Sequence, residues 1–234
     1  MDQEKIYFVG RMATDRSKTE DEYAIGFKNI IELNGFDPQS IEGSILSSVV
    51  PPLGNVLKEA IQKTTGTTPL IVGPGVKTGL NIKIDNPAQL GSDLVVNAVA
   101  AIREYEKPLI IFDMGTATTL SVINSAGSYL GGMIVPGVKV SQETLTARTS
   151  QLPSISLEPP QKVIGTNTID CMKSGAIYGN AAMLDGMIER VEEELGEIAT
   201  VVATGGLSKC IVPYCNKKII CDNDLLLKGL WFIY

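Results

Sequence analysis

The residues best suited to do chemistry are concentrated in the segment Asp113–Thr119. It lies between the apolar runs Pro108–Phe112 and Leu120–Ile123, so the pattern predicts a strand, a tight polar turn and a second strand. The glycine and threonines of the turn offer backbone N–H groups and hydroxyls to a small anion. The Asp113 carboxylate at the strand end can hold a cation or a water molecule. Phosphate suits such a turn best, and a threonine-rich hairpin without a ligand is the alternative.

Histidine is absent from the 234 residues. This absence excludes histidine-based triads, imidazole general bases and almost every catalytic zinc arrangement. Acid–base work must then fall to a carboxylate, a lysine, a tyrosine or a cysteine. Phosphoryl transfer asks little of a base, so it is favoured over the hydrolysis of stable amides.

Composition sets broader limits on the class of protein. Charged residues make up 20% of the chain and apolar residues 44%, which is typical of a globular protein. A net charge of −6 argues against a nucleic-acid surface. No apolar run is long enough to span a bilayer, and the start Met1–Lys5 does not resemble a signal peptide. The 4 cysteines form no Cys-x-x-Cys pair, so we expect reduced thiols in a cytoplasmic protein.

Strands alternate with helices in the first part of the chain, which is typical of an α/β domain. A strand is predicted at Lys5–Val9. Thr19–Glu22 is typical of a capping box that opens a helix, and Asn34–Gly35 ends that helix. The other elements predicted here are a strand at Gly43–Val50, a helix at Asn55–Thr64, a strand at Pro69–Val72 and a helix at Leu90–Glu106.

The second part begins with the strand–turn–strand described above. A long helix is predicted from Thr168 to about Leu195, with Gly175 and Gly179 on one face. Glycine inside a helix costs about 1 kcal/mol relative to alanine, so we expect a close approach there by backbone or by a partner. The remaining predictions are a strand at Tyr129–Val135, a helix near Ser141–Arg148, a strand at Thr200–Ala203 and a helix from about Asp222.

Several glycine-rich segments match one family in order and spacing, although each is weak alone. They are Gly79–Asp93, Asp113–Thr119, Gly131–Gly137, Leu152–Thr168 and Thr204–Gly206. Together they resemble the type III pantothenate kinases, enzymes of the actin-like superfamily. The resemblance implies an α/β chain of actin-like fold with duplicated ribonuclease H-like domains, here the halves 1–106 and 107–234. It also implies a homodimer.

The resemblance implies an activity as well. Members of this family transfer the γ-phosphoryl group of ATP to the primary hydroxyl of pantothenate, the first step of coenzyme A synthesis. Asp93 matches the proton acceptor of the family, and its alternative role is that of a helix-cap or first-turn acid. The residues that match pantothenate contacts are Gly91, Ser92, Asp93, Leu94 and Thr168. The alternative role of Thr168 is that of N-cap of the long helix.

The same resemblance assigns the nucleotide and ion contacts. Asp113 matches the ligand of a monovalent cation, potassium or ammonium, and Mg²⁺ is expected with ATP. Gly115 and Thr116 match ATP contacts, and Gly205 and Gly206 would approach the nucleotide through their backbone. The alternative for all of them is turn chemistry without a ligand.

The chain departs from the family pattern in three ways. Family members open with a strand and Asp-x-Gly-Asn-Thr, the first phosphate turn, whereas Met1 falls after that point. We therefore expect an incomplete N-terminal sheet and impaired ATP turnover, explained by a downstream start, a truncated chain or a degenerate paralogue. Leu94 stands where the family has arginine, and Ile84 where many members have tyrosine. The alternative functions are an inactive accessory protein that senses pantothenate or nucleotide, and a kinase for another small hydroxyl acceptor.

Overall fold

The computed structural model describes residues 1–2 and 5–234, and it divides into two compact units. The first unit comprises Met1–Thr78, Ala88–Val96 and Leu227–Tyr234, and the second comprises Gly79–Pro87 and Asn97–Leu226. Each unit is therefore assembled from separate stretches of the chain. The two halves expected from the sequence, 1–106 and 107–234, stay a prediction.

Helices and strands alternate along much of the chain, so the predicted α/β class is confirmed. In chain order the elements are α1 (Glu20–Leu33), β1 (Ile45–Ser47), α2 (Leu53–Thr65), β2 (Leu70–Val72), β3 (Asn81–Ile82), α3 (Ser92–Glu104), β4 (Leu109–Met114), β5 (Ala117–Ile123), β6 (Ser128–Pro136), α4 (Val138–Arg148), α5 (Thr168–Ser174), α6 (Asn180–Leu195), β7 (Thr200–Thr204), α7 (Ser208–Ile211), β8 (Ile220–Cys221) and α8 (Leu225–Ile233).

The first unit contains helices α1 and α2 and the short parallel pair β1–β2. The capping box predicted at the start of α1 is confirmed: Glu22 N donates to the Thr19 hydroxyl at 3.4 Å, and Thr19 N donates to Glu22 Oε2 at 2.9 Å. Tyr23 of α1 packs with Leu53 and Ala60 of α2 in a small buried cluster. Burial of these apolar side chains holds the two helices together.

One strand prediction in this unit is wrong, and a second is confirmed over a shorter range than predicted. Lys5–Val9 forms no strand, and β1 covers only Ile45–Ser47 of the predicted Gly43–Val50. A strand persists only where a neighbour satisfies its backbone groups. Ile45–Ser47 of β1 pair with Leu70–Val72 of β2, whereas Lys5–Val9 pair with no strand in the described part of the chain. Phe8 instead stacks on Phe36 with ring centroids 5.4 Å apart.

The second unit is built on a 6-stranded sheet with the order β3-β6-β5-β4-β7-β8. Strands β4, β5 and β6 form an antiparallel meander, whereas β7 lies parallel to β4 and β8 parallel to β7. This order and these directions are those of a ribonuclease H-like half of the actin-like fold. The predicted fold class is therefore confirmed in this unit.

Apolar side chains are buried on both faces of that sheet, and one large cluster lies on the face towards α6. Side chains of a strand alternate between faces, so Ile110, Phe112 and Met114 share this face of β4 and are essentially fully buried. They pack in one cluster with Leu184 and Ile188 of α6. Asp113 consequently belongs to the opposite face of β4. Leu109 and Ile111 share that face and are also buried, so Asp113 is the polar end of an otherwise apolar row.

The predicted long helix is divided by a π-helical turn at Gly175–Gly179, between α5 and α6. The predicted close approach is not found among the described residues, because a Cβ atom at Gly175 or Gly179 would meet no heavy atom within 4 Å. The two glycines instead begin and end the π-helical turn.

No helix among residues 1–2 and 5–234 combines the length and the hydropathy of a membrane span.

Candidate active site

The turn between β4 and β5 consists of Gly115 and Thr116, both exposed. The predicted strand–turn–strand is thus confirmed. Gly115 N donates to Ala117 O at 3.0 Å, which closes the turn. The N–H group and hydroxyl of Thr116 donate to no residue that the structure describes. Thr116 therefore keeps two donors available for an anion.

Gly137 supports this turn from the N-terminus of α4. Its N–H group donates to Thr116 O at 3.0 Å. A Cβ atom at this position would lie 2.3 Å from Gly115 O and 2.5 Å from Thr116 O, so only glycine fits without displacing the turn. The sequence indicates a motif that ends at Gly137, but it does not indicate this supporting role.

Asp113 precedes the turn on β4, and its side chain is half-buried. Its Oδ2 accepts a hydrogen bond from Asn97 Nδ2 of α3 at 2.9 Å. Asn97 is only 2% exposed. No sequence motif indicated Asn97, although a polar residue among the apolar residues Val95–Ala101 is a usable signal.

Gly205 brings the end of β7 against Asp113. A Cβ atom at Gly205 would lie 2.8 Å from Asp113 Oδ1 and 2.7 Å from both N and O of Met114. Its φ of +90° is also one that L side chains rarely adopt. Leu207 N donates to Met114 O at 3.3 Å and holds the turn there. The neighbouring Gly206 has open space at its Cβ position.

Two buried oxygen atoms accompany the Asp113 carboxylate. Thr119 is directly paired with Asp113 across β4 and β5, so their side chains share one face of the sheet. Thr119 Oγ1 and Asn97 Oδ1 are both buried, and neither has a hydrogen-bond partner within the described chain. A carboxylate with a neutral oxygen beside it, here the Thr119 hydroxyl, is the donor set that a hard cation prefers. The residues present therefore fit a cation at Asp113.

Asp93 lies in the first turn of α3, within the first unit. Its Oδ1 accepts a hydrogen bond from Leu94 N at 2.9 Å. A Cβ atom at Gly91 would stand 2.5 Å from the same oxygen, so the absence of a side chain at Gly91 leaves room for the carboxylate. Ser92 Oγ accepts from Ser47 Oγ at 2.8 Å, at the end of β1. This geometry fits a first-turn acid and leaves the carboxylate half-buried rather than enclosed.

Thr168 begins α5 in the second unit and is exposed. Asn167 is the N-cap of that helix, since its side chain accepts from Asp170 N at 2.9 Å. The alternative in which Thr168 caps the helix is therefore wrong. The Thr168 hydroxyl makes no hydrogen bond to the described residues and is available to a ligand.

The structure therefore groups the candidate residues by unit. Asp113, Gly115, Thr116 and Gly205 come together at the ends of β4 and β7 in the second unit. The contiguous residues Gly91–Leu94 belong to the first unit. A turn with free donors beside a carboxylate suits phosphate and its cation, and a half-buried carboxylate at a helix start can accept a proton.

A solved structure shares the fold. The chain matches a protein of Campylobacter jejuni described as a conserved Baf family transcriptional activator, with a TM-score of 0.58 and 20% sequence identity, over 84% of each chain. At this level of identity the similarity concerns the fold alone.

Relatives by sequence are much closer. The type III pantothenate kinase of Halalkalibacterium halodurans is 47% identical over 224 residues, which cover 96% of this chain and 88% of that protein. The type III pantothenate kinase of Bacillus cytotoxicus is 46% identical over 224 residues, which cover 96% of this chain and 86% of that protein. The family model of type III pantothenate kinase matches residues 1–190. The chain belongs to the type III pantothenate kinase family.

Proposed function

We propose that this chain is a pantothenate kinase, which transfers the γ-phosphoryl group of ATP to the primary hydroxyl of pantothenate. The observation that carries the proposal is the high identity with pantothenate kinases along nearly the whole chain. That region includes both the carboxylate at the start of α3 and the turn between β4 and β5. The absence of histidine agrees with phosphoryl transfer, which depends more on positioning and cations than on a strong base.

Asp93 is proposed as the proton acceptor for the pantothenate hydroxyl. The hydrogen bond from Leu94 N fixes one carboxylate oxygen, and Gly91 leaves the space that this oxygen occupies. A fixed carboxylate needs less reorganisation when it takes a proton during transfer. Gly91, Ser92 and Leu94 are proposed to contact pantothenate beside Asp93, together with Thr168.

The turn at Gly115 and Thr116 is proposed to contact ATP, together with Gly205 and Gly206. The free N–H group and hydroxyl of Thr116 support this role, because phosphate oxygens accept from both types of donor. The open space at Gly206 allows a nucleotide to approach the backbone closely. Mg²⁺ would enter with ATP and neutralise charge on its phosphates.

Asp113 is proposed to hold a monovalent cation, potassium or ammonium. The support is chemical, since an ionised carboxylate with the unpartnered hydroxyl oxygen of Thr119 offers hard ligands. A cation here would lower the negative potential that the transferring phosphoryl group meets. We further propose a cytoplasmic homodimer. The resemblance to the family supports that assembly, and light scattering would measure its mass.

A coupled assay of ADP release tests the function. We expect release that requires both ATP and pantothenate, and the product should be phosphorylated at the primary hydroxyl. A panel of other small hydroxyl acceptors should give slower turnover, although Leu94 and Ile84 are the positions where acceptor choice could differ. Binding of pantothenate without any ADP release would instead support the inactive accessory protein.

A further inference from the structure

Asn97 has a buried side-chain amide, and only one of its two polar atoms makes a hydrogen bond. Its Nδ2 donates to Asp113 Oδ2 at 2.9 Å, whereas its Oδ1 is buried without a hydrogen-bond partner in the described residues. The side chain is 2% exposed and belongs to the same unit as Asp113. An isolated buried carbonyl is unfavourable, so a residue that served packing alone would be better replaced by an apolar one.

The orientation of this amide follows from its partner. An ionised carboxylate only accepts hydrogen bonds, so the NH₂ group of Asn97 must face Asp113 and the carbonyl must face away. A hydrogen bond to a charged group is also stronger than one between neutral groups. Asn97 therefore restrains Oδ2 of Asp113, whereas Oδ1 lies on the side of Gly205.

We propose that Asn97 is a positioning residue for Asp113, and that its hydrogen bond sets how tightly the chain holds its monovalent cation. This inference rests on the proposed role of Asp113 as the cation ligand. Groups that orient a metal ligand through its second atom typically change metal affinity by about 10–100-fold when they are removed. Asn97 acts on Asp113 in this way, because it binds Oδ2 of the proposed ligand.

The test measures the midpoint temperature of thermal unfolding as a function of potassium concentration. Choline replaces the potassium that is left out, so the ionic strength stays constant. ATP is present and pantothenate is absent. Asn97→Leu keeps the approximate volume of the side chain and removes the donor. Asn180→Leu is the matched control, since Asn180 Nδ2 binds only the helix carbonyl Ala176 O at 2.8 Å. We expect wild type and Asn180→Leu to reach half-maximal stabilisation at the same potassium concentration. Asn97→Leu should need about 10–100-fold more.

A second variant protects the test from a failure to fold. Asn97→Ala removes the same hydrogen bond with a side chain that favours the helix, and it should show the same shift in potassium dependence. In kinetic assays both variants should raise the potassium concentration for half-maximal activation while KM for pantothenate stays unchanged. Substitution of a residue that only fills space would not change the potassium requirement while leaving KM for pantothenate unchanged.

Two results would overturn the inference. One is a folded Asn97 variant with the potassium dependence of wild type, and the other is a wild-type chain that potassium stabilises no more than choline does. Because the titration contains no pantothenate, its outcome is separate from that of the ADP assay. A chain that does not phosphorylate pantothenate but loses potassium binding on Asn97→Leu would contradict only the proposed function.

Discussion

Gly205 lies so close to the end of β4 that a Cβ atom on it would stand 2.8 Å from Asp113 Oδ1. The same atom would stand 2.7 Å from both N and O of Met114. Backbone atoms within a central strand cannot move aside as a flexible side chain can. The position of Asp113 therefore depends on the absence of a side chain at the end of β7.

We predict that Gly205→Ala lowers the free energy of unfolding by at least about 2 kcal/mol, because it adds strain at a positive φ to a collision with β4. Gly206→Ala is the matched control, since its Cβ would meet nothing within 4 Å and its φ is ordinary. The control should change stability by less than about 0.5 kcal/mol. Urea unfolding followed by circular dichroism measures both, and equal midpoints for the two variants would contradict the prediction.

Asp93→Asn should reduce kcat by about 10²–10⁴-fold, because the amide cannot accept the proton that the carboxylate accepts. The amide oxygen can still accept from Leu94 N, so the helix start and the stability should persist. Asp85→Asn is the control, as Asp85 is an exposed carboxylate outside the candidate site. Coupled assays and thermal unfolding measure the two effects. A variant of Asp93 that keeps most of the wild-type kcat would refute its role as proton acceptor.

Gly91→Ala should lower kcat with little loss of stability. A Cβ atom at Gly91 would lie 2.5 Å from Asp93 Oδ1, and the short side chain of Asp93 can rotate away from it. Rotation moves the carboxylate from the position that it needs for proton transfer. Gly54→Ala in α2 is the control, where the new Cβ would meet nothing within 4 Å.

The double variant of Gly91 and Asp93 sharpens this prediction. If the glycine acts only through the carboxylate, Gly91→Ala should have little further effect on kcat in the Asp93→Asn background. Multiplicative losses in the double variant would show that Gly91 affects catalysis by another route, such as direct contact with substrate.

Local signals allowed much of the fold to be predicted from the sequence. The capping box at Thr19 and the turn after Asp113 depend on residues close in the chain, and both occur where the sequence indicated. Strand lengths depend instead on distant partners. β3 and β8 are each 2 residues long and were not predicted, because such short strands carry no pattern of their own.

The candidate site shows the same division. Asp113 and Gly205 belong to motifs, so the sequence indicated them, although only the structure shows that they touch. Asn97 reaches Asp113 across 16 positions in sequence, from a helix to a strand. Gly137 is required by a steric contact with the turn at Gly115 and Thr116. Contacts of this kind need coordinates, because no local pattern distinguishes them from ordinary helical or turn residues.

Cys215 provides a prediction about pH. Burial, followed by the negative charge of Asp185 and by Cys221, raises the pKa of the Cys215 thiol from 9.0 to about 12. The unfolded chain would therefore release this proton at a lower pH than the folded chain does, so stability is retained below about pH 9 and falls as the pH rises toward 12. Cys215→Ala should reduce this loss of stability with pH in urea unfolding, whereas Cys171→Ala should not, since Cys171 is exposed.

At pH 8, alkylation should modify Cys171 well before Cys215, because only the thiolate reacts and Cys215 remains protonated. Mass spectrometry of the labelled peptides would reveal the order, and rapid modification of Cys215 in the folded chain would show that its thiol is not shielded in this way.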